Sequence, residues 1–314
     1  MNNVLVRIYK EQHLPTDLIP LGIGKDKSNI YFFQSALGCD FFMENQIKKW
    51  WLVFFEGSKD QQIFSVEFTD LPSLAGLPEN QWKRRYQEVI KNERDRAEIT
   101  RLAFIYSHSP QEDTIATACA SLGIRMSRAI KSSDYQHNPS HSEHIDGKGL
   151  SFITCLEGQQ DQFERRILLM ALGYAYLNVM EDLSNQLAEE THQITKTNYD
   201  IKKLTELYIQ ATEFNARFFF FLPVKHKNTS LVETWKNINK TLDIDSINKE
   251  LLQKIENIHH ILDWQKNQKD QIAKEQKQKI DDKFNYKIAI IGIILAFFGV
   301  LEFVLEAYST FGGS

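Results

Sequence analysis

Residues Ile288 to Leu301, reading IAIIGIILAFFGVL, form a run of fourteen positions without a charged side chain. Glu302, Phe303, Val304, Leu305, Glu306, Ala307 and Tyr308 follow, and the apolar stretch reaches 21 residues when the two glutamates are counted inside it. At the helical rise this is about 31 Å, the thickness of a bilayer's hydrocarbon core. Fourteen residues would also suit a helix buried in a protein core. Six residues, Ser309 to Ser314, follow Tyr308, which is little chain to cover such a helix. The expectation is one membrane span over 288–308 with a short outer tail over 309–314, so the lipid bilayer is the first partner.

Charge orients the span. Lys266, Lys269, Lys274, Lys277, Lys279, Lys283 and Lys287 precede it, and neither Lys nor Arg follows it. The positive-inside rule puts residues 1–287 in the cytoplasm, as a single-pass protein of the cell inner membrane. A hydrophobic fraction of 42% and a charged fraction of 25% are those of a chain that folds mostly in water. The formal charge of −4 gives no overall reason to bind polyanions. Cys39, Cys119 and Cys155 are widely spaced, without a CxxC pair, which fits a reducing compartment. The N-terminus lacks the basic and apolar regions of a signal peptide.

Residues 1–156 read as a cytosolic domain of α/β or α+β type. Strands are expected at Asn3–Tyr9, Ile30–Gln34, Trp50–Glu56, Gln62–Phe68 and Leu150–Leu156, from their β-branched and aromatic content. Helices are expected over 81–102 and 112–130, and a polar loop over 131–149. From Gln159 onward the strand signals stop, and 157–245 reads as a helical domain. Phe163, Ile167, Met170, Tyr174, Leu177 and Glu181 lie on one stripe at helical spacing, and Ile201–Phe221 forms a second helix. FFFF at 218–221 reads as helix core or as an interface. Ser246 is placed to cap a long helix, with 246–287 as a coiled-coil stalk that continues into the span.

Within the span Ala289, Gly292, Ala296 and Gly299 recur at heptad spacing, and small residues let helices approach closely in lipid. The same register continues to Phe303 and Glu306, flanked by Glu302. Run backwards, it selects Asn285, Asp282, Gln278, Glu275, Gln271 and Gln268. All seven stalk lysines fall off this stripe. An amide and acidic seam suits helices surrounding water better than a dry coiled coil. These twelve positions are therefore expected to line a pore in a homo-oligomer, with Glu275 and Asp282 at a cation-attracting mouth. A lone anchor with a solvated charged stem has much the same composition, so a tail-anchored binding or scaffold protein is the alternative.

Other candidate sites carry less. Lys83, Arg84, Arg85, Lys91 and Arg94 lie near Trp82 and Tyr86, a pattern that suits a nucleotide or oligonucleotide signal, although Glu88, Glu93, Asp95 and Glu98 also suit an ion-paired surface helix. His137, His141 and His144 form H-x3-H-x2-H, either a zinc triad or a polar loop. Gly22-Ile23-Gly24-Lys25 lacks P-loop spacing and follows Pro20, so a simple turn explains it. There is no GxSxG, HExxH or paired CxxC, and nothing in the sequence asks for an enzyme or a cofactor.

An α/β cytosolic domain, then helices, then one very long helix entering the membrane resembles the architecture of the CorA magnesium transporters. The resemblance is one of layout. That family carries a second span after a Gly-Met-Asn loop, and Gly-Met-Asn does not occur in this sequence. It implies a long-helix pore, and a reduced divalent-cation transporter is a further alternative. The plan is also similar to membrane pore effectors of bacterial anti-phage defence, which implies a pore controlled by a signal received on the cytosolic domain.

Overall fold

The computed structural model describes residues 3–23, 30–44, 48–71, 98–106, 135–147, 149–194 and 201–311, without the side chains of 297 and 301–311. Its contacts divide the chain into two units, 1–255 and 256–314. The first unit is built on a sheet of strands β1 (Asn3–Glu11), β2 (Leu18–Pro20), β3 (Asp40–Glu44), β4 (Lys49–Phe54), β5 (Gln62–Leu71), β6 (Glu98–Tyr106), β7 (Gln136–His137), β8 (Ser142–Asp146) and β9 (Gly149–Thr154). Their spatial order is β2-β3-β4-β5-β1-β6-β9-β8-β7. Every neighbouring pair is antiparallel except β6 and β9, so the sheet is mixed.

β1 sits at the centre because both its faces are covered. Asn3 through Tyr9 are all buried, a continuous run and not an in-out alternation. The parallel β6–β9 pair needs close backbone approach, and Gly149 provides it. A Cβ there would stand 2.1 Å from the Arg101 carbonyl oxygen, a backbone atom that cannot swing away. Gly149→Ala is expected to cost about 2–3 kcal/mol and to lower the thermal midpoint. An unchanged midpoint would show that the pair tolerates a side chain there.

Among the described residues four α-helices follow: α1 (Gln160–Gln193), α2 (Ile201–Arg217), α3 (Thr229–Leu242) and α4 (Ile244–Phe311). Helix α1 packs against β4, β6 and β9 and also against α2 and α3. Residues 166 through 176 are accordingly buried all round, which removes any single stripe from this part of the helix. Further along, the buried face runs through Val179, Met180, Leu183 and Leu187, while Glu181 is exposed. Gly173 lets α3 close on α1, since a Cβ there would meet Ile238 at 2.9 Å and Leu242 at 3.0 Å.

Several local expectations change. Ile30–Gln34 forms a turn with a single bridge, Phe33 to Val224, and not a strand. Residues 98–102 belong to β6 and not to a helix; the rest of the expected 81–102 helix and all of 112–130 lie outside the described residues. The expected polar loop over 131–149 contains β7 and β8, because pairing to β9 orders a sequence with little strand propensity of its own. Helix α2 ends at Arg217, so FFFF lies in the connection beyond it. Phe218 is buried against Phe55 and Phe214 at ring separations of 5.6 and 6.2 Å, whereas Phe221 is exposed.

Ser246 does not cap α4. It is the third residue of that helix, and its amide donates to the Asp243 carbonyl at 3.1 Å. Asp243, at φ 55°, separates α3 from α4 as a single left-handed residue. Asp tolerates this conformation better than most residues.

Candidate functional sites: the long helix, a buried ion cluster and an open cleft

Helix α4 runs unbroken for 68 residues, from Ile244 to Phe311. Among the described residues it is the one helix long and apolar enough to cross a membrane. Its apolar window has a mean hydropathy of 1.6 and none of it is buried. Ile291, Ile293, Leu295, Phe298 and Val300 are between 57% and 70% exposed, which water does not favour over so large a patch and lipid does.

The helical backbone makes the stripe geometry real. Gln268, Gln271, Glu275, Gln278, Asp282, Asn285, Ala289 and Ala296 are all exposed on it, and a Cβ at Gly292 or Gly299 would meet nothing within 4 Å. Phe303, Glu306 and Glu302 are helical by backbone, with side chains outside the description. At 100° per residue, Lys283 and Lys287 fall away from the stripe, together with exposed Ile280 and Phe284, whereas Lys279 flanks it, four residues from Glu275 and three from Asp282. A heptad stripe drifts about 20° per heptad on a straight helix, so copies associating along it would have to supercoil left-handed.

The three histidines do not converge. His137 pairs with Ser142 across β7–β8, and its Nδ1 lies 2.8 Å from the Ser142 hydroxyl. Alternation along β8 puts His144 on the same face as Ser142, where its ring lies 5.4 Å from Tyr135. His141 goes to the opposite face, stacked on Phe152 at 4.3 Å. Among the described residues no group of three or more His, Cys, Asp or Glu side chains is placed to hold a metal ion.

His141 instead joins a buried cluster that the sequence reading did not single out. Arg166 of α1 is 0% exposed and Glu143 of β8 is 2% exposed, and the guanidinium Nε donates to the Glu143 carboxylate. Arg166 Nη1 donates to the Gln162 carbonyl at 3.0 Å, and Nη2 lies 2.9 Å from His141 Nε2. His141 Nε2 also lies 3.4 Å from the Glu143 carboxylate, and its Nδ1 lies 2.9 Å from the Ser140 hydroxyl. Thr234 of α3 donates to the second Glu143 oxygen at 3.2 Å. Burial pushes the Glu143 carboxyl up, but the adjacent His141 and Arg166 pull it down by more, and it lies below the usual range. The cluster pins one edge of the sheet to α1 and α3. The one sequence clue was Arg166 itself, a charge at the head of an apolar run.

The cleft lies toward the opposite edge of the sheet, beside β3. The Phe33–Val224 bridge is flanked by Gln34 N–H to the Pro223 carbonyl and Lys225 N–H to the Phe32 carbonyl, each 2.8 Å. These bonds hold the turn before β3 against the connection from α2 to α3. Beside them opens a cleft of about 240 Å³ lined by Leu21, Phe33, Gln34, Asp40, Phe41 and Lys225. Cys39 also borders it; burial, reinforced by Asp40, pushes its thiol far up, which keeps it protonated and unreactive. At the rim Asp40 hydrogen-bonds Glu56 and repels its charge, pushing the Glu56 carboxyl up.

The basic positions Lys83, Arg84, Arg85, Lys91 and Arg94 lie outside the described residues, as do Gly24 and Lys25. Set against protein-family models, curated proteins and solved structures, the chain matches none of them. Its function has to be read from its own geometry.

Proposed function

We propose that the chain is one subunit of a homo-oligomeric, cation-preferring membrane channel, with residues 1–287 in the cytoplasm. The observation that carries this reading is the stripe on α4. It is free of lysine from Gln268 to Asn285, and it passes without a helix break into Ala289, Gly292, Ala296 and Gly299. A plain anchor needs no such continuity. Small residues on the span let helices approach. Amide and carboxylate side chains in the same register would then face a shared aqueous axis, where Asp282 and Glu275 attract cations. In this reading the first unit receives the gating signal, and α4 is the element that carries its effect to the span. The plan suits a signalled effector of the anti-phage type.

The test is potassium efflux from liposomes containing the full chain, with Glu306→Gln and Asp282→Asn measured beside the parent. Each substitution is expected to lower cation-over-anion selectivity about threefold to tenfold, corresponding to roughly 0.6–1.4 kcal/mol of lost attraction. Unchanged flux and selectivity in both variants remove the pore and leave a scaffold tethered by its last helix.

A further inference from the structure

We propose that the cleft beside β3 binds a free α-amino acid with an aromatic side chain. Two opposite charges, Asp40 and Lys225, line this one small cleft, with Asp40 hydrogen-bonded to Glu56 at its rim. The Lys225 ammonium gives one hydrogen bond, to the Tyr31 carbonyl at 2.8 Å. An ammonium has three N–H donors, so two remain for an acceptor. A ligand bearing one sign of charge would meet attraction from one wall and repulsion from the other. A zwitterion satisfies both, its carboxylate toward Lys225 and its ammonium toward Asp40. Gln34 adds an amide that can donate or accept.

The rest of the lining selects the body of the ligand. Leu21, Phe33 and Phe41 are buried, with the two phenylalanine rings 5.8 Å apart. Such a floor favours a planar ring through edge-to-face contact. The volume of about 240 Å³ falls just below the range usual for drug-sized ligands, which starts at about 300 Å³. It holds one ring and one amino-acid headgroup and is too small for a dinucleotide. The apolar floor disfavours a small polar amino acid, and the Asp40 carboxylate disfavours a phosphate dianion.

The position of the cleft gives such a ligand something to act on. Lys225 stands four residues before Thr229, where α3 begins, and α3 passes through the single residue Asp243 into α4. Within the first unit, therefore, one wall of the cleft is tied to β3 and the other leads directly to the base of α4. This site does not depend on the channel reading and would stand if the span were only an anchor.

The test is calorimetric titration of the purified full chain in detergent with L-phenylalanine, L-tyrosine and L-tryptophan. N-acetyl-L-tryptophanamide, which lacks both charges, and AMP serve as comparison ligands. At least one free amino acid is expected to bind saturably, about tenfold or more tighter than the blocked amide. Lys225→Met, at a half-buried position, and Asp40→Asn, at an exposed one, are expected to weaken that binding about fivefold or more. The ligand series on the parent chain needs no variant to fold. Absence of saturable binding up to about 5 mM, equal affinity for the blocked amide, preference for AMP, or parent-like affinity in both variants would each overturn the assignment. None of these results bears on ion flux, so the cleft and the pore stand or fall separately.

Discussion

Replacing Arg166 with methionine is expected to destabilise the first unit by about 3–5 kcal/mol, the usual result of removing one partner from a buried ion pair. The loss comes less from the missing attraction than from what remains. Glu143 is 2% exposed, and without the guanidinium its charge keeps only Thr234 and the His141 edge for company. Urea unfolding followed by tryptophan fluorescence reads this directly, because Trp50, Trp51 and Trp235 are all buried in the same unit. The double variant Arg166→Met/Glu143→Leu removes both charges and is expected to recover most of the loss. If the double variant is as unstable as the single one, packing and not charge accounts for the position.

The same pair makes stability depend on pH in a defined direction. The Glu143 carboxyl is depressed in the folded chain, so its contribution is present above the unfolded carboxyl value of about 4.3. It is lost as pH falls through the lower, folded value. Parent protein should therefore lose stability more steeply below about pH 4 than Glu143→Gln, which has no proton to take up at that site.

The second large effect concerns the candidate span on α4. Placing lysine at both Ile294 and Phe298, one turn apart near the middle of 288–308, is expected to cost about 6–8 kcal/mol of insertion free energy. Both side chains are exposed on α4, at 49% and 61%, so neither substitution disturbs packing within the chain. The variant should move from the carbonate-washed membrane fraction to the supernatant, while Lys279→Gln should stay with the parent in the membrane. A double-lysine variant that remains in the washed membrane would show that this segment is not what holds the protein there.

How much of this was legible varies with the range of the forces involved. The helices from Gln160 onward could be read closely because their hydrophobic period is local and repeats over many turns. Along α1 the expected stripe follows buried positions as far as Tyr174 and leaves them at Glu181, which is exposed while Val179, Met180, Leu183 and Leu187 are buried. Residues 166–176 are buried all round, so that segment sets no single face for the pattern to follow further along. Ile30–Gln34 has strand composition but becomes a turn, since its one bridging partner, Val224, lies far along the chain. Residues 136–146 have loop composition but become strands, since β9 offers an edge to pair with. Neither partner is visible in the segment itself. The same holds for the sites. H-x3-H-x2-H is compact in sequence, yet strand alternation sends His141 to one face and His137 and His144 to the other.

What the sequence determined alone is the last helix: its length, its apolar stretch, the lysines before it and the stripe without them. Each of these depends on one periodic element, and the 68 helical residues of α4 carry it without a break. What only the tertiary structure decided is where distant side chains meet. Arg166 finds Glu143 and Thr234, and Asp40 comes to share a cleft with Lys225, because the sheet order β2-β3-β4-β5-β1-β6-β9-β8-β7 folds distant segments side by side. At Arg166 and Glu143 burial then turns the meeting into a strong interaction, since a charge removed from water must find its partner inside the protein.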